Sequence, residues 1–209
     1  MIIRWLVGSA LCALVLMVWG ALFWVGSVRS GDTLRTLPDE PRLQALLQEA
    51  LPNSGGYVFP PPWTDAGLLT PRGIENLRQK SLQGPTGILL IHREGMDPLS
   101  LPNLWMSFLI YFLAALTASL FLIITNLHLG SIAQRWTFLL GLGVFSTLAV
   151  RMGDATWLRL PWNYVLLTSL YTLSQWAVGG IVLAFMIRPR GEFRVSDQRL
   201  PLWKRARDF

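Results

Sequence analysis

The chain has one cysteine, two histidines and few charges, and each scarcity removes a class of chemistry. Cys12 alone can form no intrachain disulfide and no CxxC redox or zinc motif. The residues before it, Ser9-Ala10-Leu11, place a leucine where a lipoprotein cleavage site takes a small residue. Cys12 therefore reads as a small buried hydrophobe rather than a lipid anchor. His92 and His128 flank an apolar run that rises about 35 Å as a helix, too far for one metal to take both. Haem between two spans would want facing histidines inside the bilayer, and the composition offers none, so no cofactor is expected. Charged residues make up 14% of the chain, against about a quarter in a soluble domain.

What is abundant is apolar. Hydrophobic residues are 52% of the 209, and ten are tryptophan. Crossing about 30 Å of hydrocarbon takes roughly 20 residues, and four runs are long enough. They are residues 5–28, 104–125, roughly 132–152, and 162–187. The first has an apolar core far longer than the 7–15 residues of a cleaved signal, and Trp19 and Trp24 suit an interfacial anchor at its far end. Asn103 is placed to cap the second, and Pro161 enters the fourth at a first-turn position. The third is the weakest, with Gln134, Arg135 and Arg151 near its ends.

Basic residues orient the runs. The tail after Ile187 carries seven basic residues against three acidic ones, whereas the segment between runs one and two has seven against eight. Cytoplasmic loops are enriched in Lys and Arg, so both termini are expected inside and residues 29–103 outside. The net charge of +6 is then mostly a topology signal and calls for no nucleic acid, although the tail also suits anionic headgroups.

The outer segment is patterned. Leu43, Leu46, Leu47 and Leu51 recur at helical spacing, with Asp39 as N-cap and Pro52 beyond the end. A short strand at 57–59 is stopped by prolines. A second helix opens on Thr70 and Pro71 and stops at Gly84-Pro85, and a second strand follows over 87–93. Two strands joined through a helix predict a parallel pair in a compact αβαβ unit. The expected fold is thus membrane α-helical: an anchor helix (1–28), an extracytoplasmic αβαβ domain (29–103), a three-helix transmembrane bundle (104–187) and a basic cytoplasmic tail (188–209).

Candidate sites are sparse. Gly84–Gly87 lies between a helix end and a strand start, the reverse of a phosphate loop. His92, Arg93 and Glu94 stand at the outer strand end, with Asp65 and Asp97 as conceivable carboxylate partners of a catalytic His92, but no motif supports them. His128, beside Asn126, reads as an interfacial loop residue, and Arg135, Arg151 and Asp154 sit close to span ends. Gln175 is strongly polar at mid-span, and with Tyr164, Thr168 and Tyr171 it forms a helical stripe suited to interhelical hydrogen bonds or to a polar or quinone-like ligand. Ala114 with Ala118, Ala115 with Ser119, and Gly179-Gly180 favour close helix packing. Phe59, Pro60, Pro61, Pro62 and Trp63 form an aromatic-proline patch that packs locally or docks a partner.

Leu37-Pro38-Asp39-Glu40, Gly56-Tyr57-Val58-Phe59-Pro60 and Gly84-Pro85-Thr86-Gly87, in this order after an anchor and before three closing spans, give the chain a resemblance. It resembles an uncharacterised group of small four-span bacterial inner-membrane proteins with an αβ insertion after the first span. The resemblance implies the same topology and carries no activity. The expectation is a non-enzymatic accessory or assembly subunit of a membrane complex, in contact with lipid and with a membrane-protein partner or its own copies. A small transporter or a lipid- or quinone-handling protein is the alternative, and an enzyme built on His92 a third. Reporter fusions test the threading: a fusion at residue 75 is expected to report the extracytoplasmic side and one at residue 209 the cytoplasm.

Overall fold

The computed structural model describes residues 2–29, 33–61, 70–125, 130–158 and 160–187. Pro62, Trp63, Asp65, Asn126, His128 and the basic tail lie outside them. In chain order the elements are α1 (Ile2–Arg29), α2 (Glu40–Ala50), β1 (Gly55–Phe59), α3 (Pro71–Gln83), β2 (Gly87–Ile91), α4 (Leu101–Thr125) and α5 (Ile132–Ser146). A π-helical stretch (Thr147–Arg151), α6 (Met152–Trp157) and α7 (Trp162–Met186) follow. Four helical segments are long and apolar enough to cross a membrane: Ile3–Gly26, Leu101–Ile124, Ile132–Trp157 and Trp162–Met186. The chain is a multi-pass membrane protein whose apolar helices meet the lipid bilayer.

Two spans differ from expectation. The second begins at Leu101, so Asn103 lies inside the helix, and its amide reaches back to the Asp97 carbonyl at 2.8 Å instead of capping. Pro102 suits the first turn, where a missing N–H costs nothing. The third span continues past residue 152 to Trp157. Its polar interruption is internally matched, Arg151 and Asp154 lying 4.0 Å apart one turn from each other, and the π-helical stretch absorbs the irregularity without ending the helix.

The chain divides into two compact units. Of the described residues, the first comprises 2–21, 105–125, 130–144 and 173–187. Its core is Cys12, Leu16, Ala115, Ala118, Leu122, Leu139, Leu183 and Ile187. Helices in lipid gain no hydrophobic advantage by associating, so close van der Waals contact and directed hydrogen bonds must hold them. The small residues supply the closeness. A Cβ on Gly179 would stand 3.2 Å from Cys12 Sγ, and one on Gly143 only 2.5 Å from Cβ and Cγ of Trp176. Ala115, Ala118 and Ser119 are buried, whereas Ala114 is exposed.

Of the described residues, the second unit comprises 22–29, 33–61, 70–104, 145–158 and 160–172. α3 follows its sequence signals: Thr70 accepts a hydrogen bond from the Gly73 amide (3.1 Å), Pro71 opens the helix, and Gly84 ends it at φ 61°. Asp39 departs from its expected role. It occupies the N-cap position of α2 at φ 50°, outside the extended region that lays a carboxylate over the first amides, and makes no side-chain cap.

The strands pair antiparallel, not parallel, with Gly55 opposite Ile91 and Phe59 opposite Gly87. Connector length allows the reversal. Residues 60–70 can reach up to about 36 Å, more than the roughly 20 Å that the 13 residues of α3 rise. A connector of that length permits either strand direction, so a helix between two strands does not by itself impose a parallel pair. The second strand also stops at Ile91, two residues earlier than expected, because Gly95 N–H bonds the His92 carbonyl (3.2 Å) and closes a turn.

The packing makes one glycine far more sensitive than its neighbour. Gly143→Ala is expected to lower thermal stability in detergent by about 1–3 kcal/mol through overpacking against Trp176. Gly141→Ala, where a Cβ meets nothing within 4 Å, is expected to leave the melting temperature unchanged or raised.

Candidate functional site

In the first unit, polar side chains work across helix seams. The Trp5 indole donates to Ser119 Oγ and to the Leu116 carbonyl (3.3 Å), and Ser9 Oγ lies 3.3 Å from Ser119 Oγ. Trp19 donates to Ser174 Oγ at 2.9 Å, and Trp136 to the Ala177 carbonyl at 2.9 Å. Tryptophan is apt here because one flat ring supplies both contact area and a single directed donor.

Arg135 belongs to the same system. Sequence position suggests a side chain reaching the interface, but it is 4% exposed, and its Nη1 donates to the Ile187 carbonyl at 2.7 Å. That carbonyl is at the C-terminus of α7, where helix carbonyls lack intrahelical partners and the dipole is negative. A cation there satisfies both demands. A basic residue early in one span and a helix end late in another was the only signal in the sequence.

Gln175 lies half-buried on α7 and donates through Nε2 to Tyr111 Oη at 3.1 Å. Beside this pair is a cavity of about 200 Å³, walled by Cys12, Ala115, Ala118, Trp176 and Gly180. Tyr111, a mid-span hydroxyl on α4, carries no sequence signal of its own because its partner lies 64 residues away. The cavity walls are neutral and overwhelmingly apolar, so the site suits a neutral, lipid-soluble group with one hydrogen-bonding end.

The other members of the stripe share the face of α7 but belong to the second unit. Tyr171 packs its ring against Phe23 (centroids 5.0 Å apart) and Trp24 (5.3 Å). Thr168 Oγ1 donates to the carbonyls of Tyr164 (3.0 Å) and Val165 (3.1 Å), the usual self-satisfaction of a threonine in a membrane helix. Tyr164 is half-buried. Ser169, one residue on from Thr168, is buried with its hydroxyl unpartnered among the described residues.

Of the aromatic-proline patch, Phe59 is exposed, Pro60 and Pro61 are half-buried, and Pro62 and Trp63 lie outside the described residues. Phe59 and Pro60 border a second cavity, about 280 Å³, with Leu77, Ile88, Trp157 and Leu158. Trp157 escaped notice because the third span was drawn five residues too short.

His92 sits in the turn after β2, and the charges beside it tie that turn to the residues just before β1. The Ser54 hydroxyl donates to Glu94 (2.5 Å) and accepts from the Arg93 amide (2.8 Å), while Arg93 Nη1 donates to the Pro52 carbonyl (2.8 Å). Among the described residues no group of three His, Cys, Asp or Glu could hold a metal ion. Comparison with known protein families, with curated proteins and with solved structures finds no match.

The Ser54 hydrogen bond, followed by the bond from Glu94's own amide and then the Arg93 charge, holds the Glu94 carboxyl below the usual carboxylate range. The folded value is the depressed one. The contribution is therefore full above the ordinary carboxylate pKa and lost as pH falls through the lowered value. Ser54→Ala is expected to raise the Glu94 pKa toward the ordinary value, read by carbon-13 NMR titration of the side-chain carboxyl.

Proposed function

We propose that this protein is a non-enzymatic integral subunit of a membrane complex, serving accessory or assembly contacts. The observation that carries the reading is the use to which the bundle's polar side chains are put. Trp5, Trp19, Trp136, Arg135 and Gln175 each bond a group on another helix, so they join helices instead of presenting chemistry to a substrate. The setting proposed is the bacterial cytoplasmic membrane, with both termini inside and residues 29–103 as an extracytoplasmic αβ domain. The excess of Lys and Arg in the tail supports that orientation. The sequence resemblance to small four-span inner-membrane proteins supports the same placement.

A second reading is favoured by the cavity beside Gln175 and Tyr111: a protein that carries or senses a small lipid-soluble molecule. Native mass spectrometry after extraction in a mild detergent separates the two. The subunit reading expects a reproducible hetero-complex or homo-oligomer. A monomer retaining a stoichiometric small molecule supports the second reading, and a bare monomer under several gentle conditions contradicts both.

A further inference from the structure

The antiparallel β1–β2 pair and the chain that leaves it carry more exposed aliphatic surface than a solvated appendage needs. Leu90 is 80% exposed, Met96 58%, Leu99 76% and Leu101 78%. Scattered surface leucines are ordinary, but three exposed aliphatic side chains in six residues leading directly into a membrane span call for a partner. We propose that the β1–β2 strand pair is a lipid-docking element that lies along the bilayer surface, with Met96, Leu99 and Leu101 inserted at the boundary between headgroups and acyl chains.

Continuity with the membrane spans at both ends of the strand pair identifies the partner as lipid. At one end β2 leads through Met96 and Leu99 into Leu101, the first residue of the second span. At the other end Phe59, Pro60, Gly87 and Ile88 share a cavity with Trp157 and Leu158. Trp157 is the last residue of the third span and is 88% exposed, the situation of an interfacial tryptophan. A five-residue strand extends about 17 Å, so a strand pair tied to span ends at both extremities lies flat. Leu90 is two residues beyond Ile88 and so on the same face of the sheet.

The local hydrogen bonds sort polar from apolar. Arg93 and Glu94 are held by Pro52 and Ser54, at the entry to β1. The elbow between β2 and α4 is fixed at Asp97. Its Oδ1 accepts from the Leu99 amide (2.9 Å), and its carbonyl accepts from the Ser100 amide (3.2 Å) and the Asn103 side chain (2.8 Å). Met96 and Leu99 are therefore presented on preorganised backbone, which reduces the ordering cost of insertion. The inserting side chains are uncharged, so docking depends on apolar burial and not on anionic headgroups.

The test uses the full-length chain in nanodiscs of zwitterionic phosphatidylcholine. In a Cys12→Ser background, Leu90→Cys, Met96→Cys and Leu99→Cys are labelled with an environment-sensitive dye, with Gln79→Cys on α3 as the water-exposed reference. The proposal expects the three labels to be quenched by shallow nitroxide lipids and several-fold less by aqueous iodide than the label at 79. Iodide quenching at 96 and 99 equal to that at 79 overturns it. Shielding from both quenchers also overturns it, because a protein then covers the surface. Hydroxyl-radical footprinting of the unsubstituted chain repeats the reading: slow oxidation of Met96 in nanodiscs supports docking, and the rate of a freely solvated methionine contradicts it.

Discussion

Helices in hydrocarbon gain no hydrophobic advantage from meeting each other, because lipid tails are as apolar as leucine. That constraint governs the first unit. The core contact comes from glycine and alanine faces that let backbones approach, as at Gly179 against Cys12 and Gly143 against Trp176. Direction comes from side-chain donors that bond another helix. The indoles of Trp5, Trp19 and Trp136 and the amide of Gln175 each fix one seam, and Arg135 closes the end of α7 with a charge where the helix dipole wants one.

Within the bundle these polar side chains are allocated to registering one helix on another. The second unit repeats the allocation outside the spans. Ser54 and Pro52 hold Glu94 and Arg93 beside the strand pair, while Met96, Leu99 and Leu101 on the way into α4 stay exposed.

Much of this was legible from residues alone, and the failures have physical causes. Long apolar runs report spans directly because length and hydropathy are the physics of crossing a bilayer, and all four emerged. Thr70, Pro71 and Gly84 marked α3 correctly, since capping is local chemistry. Strand direction was misjudged because it depends on connector reach, to which the pattern within the elements is blind. The third span was cut short because Arg151 and Asp154 count against hydropathy singly but match each other one turn apart. Gln175 drew attention by its rarity at depth, but its partner Tyr111 is a contact between helices far apart in sequence, and no one-dimensional pattern encodes it.

Everything in the first unit depends on whether these polar groups hold helices together. A double-mutant cycle on Tyr111→Phe and Gln175→Leu, read as unfolding free energy in bicelles, measures that directly. A coupling of about 0.6 kcal/mol, and up to roughly 1.7, is the size that hydrogen bonds between membrane helices show, and the account predicts a value in that range. A coupling indistinguishable from zero would mean that the Gln175–Tyr111 bond joins nothing and that the pair is held in place for another purpose.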